Sequence, residues 1–516
     1  MALPPRIARL EHPGAIVSPR VWPYLVVAGL GGVLVAFSGI HRYHNSDSLV
    51  PILVSVQHWT WFFWEQDRYG MLVPLLATPF PHPLTNLLVQ TTLTAASGIA
   101  SIYLIARYLV RGDTWPIVGS TAVVMFLLVA SPRFLWMYLS TWNPPAPALA
   151  LAFASLALVG PCEGSPRGRW LLAIPTMLLA TWVNASVGPF VFVLALCLGG
   201  LRWCSDREHR SQYRRELVIA LAIATIGTLA AFVEQDLSEF QGTTVMFPPL
   251  ADLRFRILRG PIDLWSDLTP KLWSVALGAC LCGSAALLER RRTRPTSRNS
   301  LAVLVAVAVA GLLFAFVMAF ASMGYWRYAI PTMIMLHVAA VAAIVRPLTS
   351  LVAPASLRIL NHTMAAVVIA AIPLALGFSS ISSIRQDLDV MEGRPEGVNS
   401  ASSPYPSGGR ETPGARADEV LAGRCTHITG GSWKMGPVVF LANLKRADRG
   451  EPATLWGLSL RSQATAVKWK AVPRTEVRVG VFPSDKEGPI GLRDLGFPLH
   501  EAERIGSMQV YLASDP

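Results

Sequence analysis

Trp22-Pro-Tyr-Leu-Val-Val-Ala-Gly-Leu-Gly-Gly-Val-Leu-Val-Ala-Phe-Ser-Gly-Ile40 contains no charged side chain. A helix needs about 20 such residues to cross the hydrocarbon core of a bilayer. The run is long for the apolar part of a secretory signal, and no small-residue cleavage pattern follows, so it reads as a retained first span. Comparable runs recur at 84–106, 115–131, 146–161, 170–184, 187–203, 216–233, 272–288, 301–321, 330–345 and 363–380. The expected fold is a polytopic α-helical membrane protein of about eleven spans. The short pair 170–184 and 187–203 would also fit one broken helix, which would reverse everything after it.

Composition agrees. Of 516 residues, 52% are hydrophobic and 15% charged, with mean hydropathy +0.44. Soluble chains carry about 25% charged residues. The net charge of +12 is mostly arginine and falls between the apolar runs. There it sets topology rather than forming a basic stripe for nucleic acid. Arg107, Arg111, Arg202, Arg290 and Arg346 fall on one face with the N-terminus, which is therefore cytoplasmic. The six cysteines show neither a disulfide framework nor metal-type spacing.

On this topology the loops 41–83, 132–145, 234–271 and 322–329 face outward. Leu49 to Trp64 is apolar but holds Pro51, Gln57 and His58, and reads as an interfacial helix with Trp59, Trp61 and Trp64 at headgroup level. Met71 to Phe80 is too short to cross and is broken by Pro74 and Pro79, which suggests a second interfacial piece. Residues 381–419 read as a linker, rich over 391–417 in Pro, Gly, Ser and charge. Beyond it, Val438–Leu441, Leu455–Leu458, Ala466–Trp469, Val477–Val481 and Met508–Tyr511 alternate like strands. Residues 420–516 are thus expected to form a small, mostly β domain, extracytoplasmic like the first loop.

That first loop carries the chemistry. Asp47 follows the first span, and Glu65, Asp67 and Arg68 lie between Trp64 and Tyr69. Carboxylates beside hydrocarbon are costly and tend to persist where a reaction needs them. Asp47 or Ser48 would N-cap the interfacial helix, and a carboxylate at a helix N-terminus stays ionised, as a general base requires. Glu65 and Asp67 would fix hydroxyls or hold a divalent ion, although two acids are too few to specify a metal. Arg327 and Tyr328, in Tyr325-Trp326-Arg327-Tyr328-Ala329-Ile330-Pro331, suit phosphate, since guanidinium binds it bidentately. Arg133, ahead of Trp142 and Asn143 in another outward loop, is a weaker candidate of the same kind.

An acid after the first span, two interfacial segments, further acids in that loop and a late Arg-Tyr-x-x-Pro element together resemble the C-type superfamily of membrane glycosyltransferases over residues 22–380. The resemblance implies transfer of a sugar from a polyprenyl-phosphate donor to a glycan or lipid acceptor on the outer face of the cytoplasmic membrane, usually with inversion, in envelope assembly. It makes Asp47 the base and Arg327 with Tyr328 the phosphate clamp; Glu65, Asp67 and Arg68 would position sugar, acceptor or metal. The superfamily's Asp-Glu pair is here Asp47-Ser48, which leaves the second acid open. Two rival readings stand beside it. One is a transporter or flippase of lipid-linked saccharides, which would want mid-membrane charges and matching halves; the other is a non-catalytic scaffold.

Overall fold

The computed structural model describes residues 21–62, 70–110, 113–140, 145–159, 168–205, 210–236, 302–311, 313–314, 330–349, 354–389, 412–459, 477–483 and 499–513. In chain order these hold α1 (Trp22–Ala36), a 3-10 turn (Gly39–Tyr43), α2 (Ser46–Gln57), α3 (Leu72–Ala77), α4 (Pro83–Leu109), α5 (Trp115–Val129), α6 (Pro132–Leu139) and α7 (Pro145–Val159). Next come α8 (Gly168–Val183), α9 (Val187–Ser205), α10 (Arg210–Asp236), α11 (Ala302–Gly311), α12 (Ile330–Thr349), α13 (Pro354–Leu376) and α14 (Ile381–Asp389). A C-terminal unit follows, with α15 (Pro413–Ala422), β1 (His427–Gly430), α16 (Ser432–Asp448), β2 (Trp456–Ser459), β3 (Arg478–Val481), β4 (Leu499–Ile505) and β5 (Met508–Ala513).

Among the described residues four helices are long and apolar enough to cross a membrane, within Pro83–Leu109, Val187–Cys204, Arg210–Val233 and Ser356–Leu376. Shorter apolar helices stand at α1, α5, α7, α8, α11 and α12. Large apolar side chains such as Leu171, Leu229, Ile359 and Leu374 are exposed on their flanks. Water disfavours so much exposed hydrocarbon, and the apolar helices suggest a membrane-associated protein. The expected span at 272–288 lies outside the described residues.

Close contacts fix the two ends of the bundle. At one end the Tyr24 and Trp115 rings lie 5.0 Å apart, and Arg202 donates to the Tyr108 carbonyl at 2.8 Å. At the other, the Ser379 amide donates to the Phe37 carbonyl at 2.9 Å and the Gly70 amide to the Trp182 carbonyl at 2.8 Å. The end of α8 therefore lies with the start of α4, and the end of α9 with the end of α4. α8 and α9 are two helices running in opposite directions, not one broken helix. Asn184 turns the chain between them, accepting from the Ser186 amide and hydroxyl at 3.1 and 2.7 Å. The start of α1 and the C-terminal unit fall at opposite ends.

Three sequence expectations need correction. The interfacial helix expected over 49–64 spans Ser46–Gln57, so Trp59 and Trp61 follow it in non-helical backbone. Loop 132–145 begins with α6, which Ser131 caps through the Phe134 amide at 3.2 Å. The C-terminal unit is α/β rather than mostly β. Val438–Leu441 lies inside α16 because its apolar run is part of a longer helical set: Met435, Val438, Val439, Ala442 and Leu444 are buried too. A helix that is apolar nearly all round is one covered on both sides. Here the covers are the sheet and α2. The other expected strands at 455–458, 477–481 and 508–511 are found; 466–469 lies outside the described residues.

The sheet order is β2-β1-β3-β5-β4, with β1 parallel to β2 and β3 and the β3-β5-β4 edge antiparallel. Gly506, at φ +56°, makes the tight turn between β4 and β5, a backbone region that glycine enters without steric penalty. α14 and α15 occupy parts of the stretch read as linker, and α15 packs on α16. One apolar cluster runs from α2 (Leu49, Ile52, Leu53) through Leu87 into α16 (Val438, Phe440, Leu441). The C-terminal unit is thus packed on the first loop. Asp448, at the end of α16, also accepts from Arg385 at 2.5 and 2.8 Å and lies 3.2 Å from His82. These groups are partly exposed, so the clamp adds at most about 1 kcal/mol.

Candidate functional site

α2 begins where its sequence allows a strong cap. The Asn45 side chain accepts from the Ser48 amide at 3.1 Å, and the Ser48 hydroxyl accepts from the Asn45 amide at 2.9 Å. This closes a reciprocal capping box. The cap is therefore Asn45, not Asp47 or Ser48. Asp47 is released from that duty and stands half-buried in the first turn, where the helix macrodipole favours negative charge. Pro51, four residues on, offers no amide to the Asp47 carbonyl.

Behind this turn lies a buried chain that the sequence reading passed over. His41 Nε2 is 2.8 Å from the Ala36 carbonyl, His41 Nδ1 is 3.0 Å from His44 Nε2, and His44 Nδ1 is 2.9 Å from the Ser48 hydroxyl. The Trp136 indole N–H reaches His44 Nδ1 from α6 at 3.5 Å. Burial lowers the His41 pKa to about 4 and that of His44 well below its ordinary value. Both rings are neutral at pH 7, and the carbonyl at Ala36 then fixes the tautomers. His41 donates to that carbonyl, His44 donates to His41, and His44 Nδ1 accepts. The spacing of His41 and His44, three residues apart just before Asp47, was visible in the sequence.

This chain ties the end of α1, the first turn of α2 at Ser48, and α6 together. We expect His44→Ala to cost about 1–3 kcal/mol, the penalty for leaving buried donors and acceptors unpaired, read as a lower melting temperature in detergent. The acid response has a definite sign. Unfolded histidine binds a proton below about pH 6.5 and the buried pair does not, so stability is complete above that value and is lost as pH falls towards about 4. His44→Asn, which cannot titrate, should flatten the fall in melting temperature between pH 7 and pH 4.

A second network fixes the neighbouring segment. The Ser55 hydroxyl donates to the Pro74 carbonyl at 2.8 Å, Asn86 donates to Ser55 and to the Ala77 and Phe80 carbonyls at 2.8–2.9 Å, and Gln90 donates to the Pro51 carbonyl at 3.1 Å. α2, α3 and the head of α4 are thereby one piece.

Of the other sequence candidates, Glu65, Asp67, Arg68, Trp142, Asn143, Arg327 and Tyr328 lie outside the described residues. Arg133 sits in the first turn of α6, the helix that brings Trp136 to His44. Phe62 and Gly70, on either side of the stretch holding Glu65, Asp67 and Arg68, form a β-bridge. A Cβ at Gly70 would meet the Trp182 ring at 2.6 Å, so a side chain there would force the ring or the backbone to shift. Trp61 is 5.1 Å from Trp59 and 5.8 Å from Trp182, edge to face. Trp59, Trp61 and Trp182 therefore form an aromatic wall at the same end of the bundle as Asp47. Among the described residues no group of three or more His, Cys, Asp or Glu could hold a metal ion. No family model matches the sequence, and no curated protein matches it.

Proposed function

We propose that the chain is a membrane glycosyltransferase that moves a sugar from a polyprenyl-phosphate donor to a glycan or lipid hydroxyl at the outer face of the cytoplasmic membrane. The observation that carries this reading is Asp47: a half-buried carboxylate in the first turn of a capped helix just beyond the first apolar helix, next in sequence to Ser48, where a buried histidine chain ends. A general base needs a fixed, ionised group within reach of an acceptor hydroxyl.

In the proposed reaction the acceptor O–H gives its proton to the Asp47 carboxylate as its oxygen bonds to the anomeric carbon. The bond from that carbon to the phosphate oxygen breaks, and polyprenyl phosphate leaves with the electron pair. Phosphate is a stable leaving anion, so one base and one cationic clamp are a sufficient minimum. Arg327 and Tyr328 would be that clamp, and Glu65, Asp67 and Arg68 would orient sugar, acceptor or a divalent ion. The aromatic wall of Trp59, Trp61 and Trp182 supports the reading, because sugar faces stack on such rings.

The test is donor choice. Purified protein in proteoliposomes should transfer labelled sugar from a polyprenyl phosphate and none from the matching nucleotide sugar. Transfer from the nucleotide sugar alone, or from neither across a panel of pentosyl and hexosyl donors, would overturn the reading.

A further inference from the structure

Both ends of α2 are held by the C-terminal unit. At its end, the Gln57 side-chain amide donates to the carbonyls of Ala453 and Leu455 at 3.1 and 2.5 Å. That strap is fixed in turn by buried Asn443 of α16, which donates to the Leu455 carbonyl and accepts from its amide, both at 2.9 Å. At its start, α16 approaches so closely at Gly436 that an added Cβ would lie 2.9 Å from the Ser46 Cβ and 3.1 Å from the Ser46 Cα. Real Cβ atoms essentially never sit under 3.0 Å from another heavy atom. Between these points the apolar faces of α2 and α16 interdigitate. Ser46 is the residue before Asp47.

From this we infer that the C-terminal unit is a working wall of the Asp47 site, and that Gly436 is a positioning residue setting where the Asp47 carboxylate stands. The inference rests on the transferase reading, since the task assigned to Asp47 comes from there. The mechanism is steric. Any side chain at 436 must push α16 away from Ser46 or push the first turn of α2 aside. A shift of about 1 Å in a reacting group can lower a rate about 100-fold.

The test is a double-mutant cycle in the full chain. Gly436→Ala should lower kcat about 10-fold and Gly436→Val about 100-fold, with KM for the lipid donor within about twofold. Ser46→Gly removes the Cβ and hydroxyl that the new methyl would strike. Combined with Gly436→Ala, it should recover most of the lost kcat, a coupling that independent sites would not show. A kcat unchanged in Gly436→Ala, or a loss that Ser46→Gly fails to rescue, would overturn the inference. A second arm needs no transfer. With Asp47→Cys in place, an impermeant maleimide should label position 47 faster in the Gly436→Val chain than with Gly436 intact, each counted against the same chain retaining Asp47. Equal labelling rates would overturn the positioning role even if the protein proved to have another activity. Absence of transfer by the unaltered protein, with faster labelling in the valine variant, would overturn the transferase reading and leave the wall in place.

Discussion

Asp47→Asn should lower sugar transfer by about 10²–10⁴-fold while leaving donor binding and membrane insertion near normal. The substitution keeps the size of the side chain and its place in the first turn, where Asn45 and Ser48 supply the cap without it. An unchanged melting temperature beside the lost rate would mark the loss as chemical. A positioned general base contributes about 10²–10⁴-fold, so kcat should fall by that factor with KM little changed, the signature of an interaction made in the transition state. Asp47→Glu should retain part of the rate, since it keeps the carboxylate and misplaces it by about one bond. Near-normal transfer by the asparagine variant would remove Asp47 from the mechanism.

Phe440→Ala should strongly destabilise the C-terminal unit. Phe440 is fully buried in α16, within the cluster that joins the sheet to Leu49, Ile52 and Leu53 of α2. Truncating a buried phenylalanine costs about 3–5 kcal/mol, the lost transfer energy plus the cavity left behind. A loss of that size raises the opened fraction of the unit by about two to four orders of magnitude. Limited proteolysis should then cut within 412–459 in the variant under conditions that leave the parent intact, because cleavage follows the population of opened molecules. If the unit were a loosely tethered module, the same cut would leave the bundle's melting unchanged. With α16 packed on α2, both should weaken together.

Apolar helices and their order could be read from sequence because hydrocarbon imposes a simple pattern. Runs such as Trp22–Ile40 have few structures available to them, and α1, α4, α5, α7, α9 and α10 fall where those runs do. Boundaries were less clear where polar residues compete. Nothing apolar or polar in Leu49–Trp64 marks the stop at Gln57, whose side chain hydrogen-bonds to Ala453 and Leu455, 396 and 398 residues away in the chain. Val438–Leu441 looked like a strand because four apolar residues in a row suit either element. Its helical state follows from burial between two partners, which only the tertiary structure supplies. For the site, Asp47 stood out as an acid beside hydrocarbon. The histidine chain did not: the local His41–His44 spacing was visible, but its contact with Trp136 depends on α6 packing against the 3-10 turn. Gly436 carried no signal at all. One glycine among many becomes informative once Ser46 is seen beside it.

A structure of the protein in nanodiscs with a bound polyprenyl-phosphate sugar would test the central claim most directly. The account predicts the sugar at the end of the bundle shared by Asp47, Trp61 and Trp182. The anomeric carbon should leave room for one acceptor hydroxyl within about 2.6–3.2 Å of the Asp47 carboxylate, with the phosphate on Arg327. A donor bound at the opposite end, beside Tyr24, Trp115 and Arg202, would contradict it.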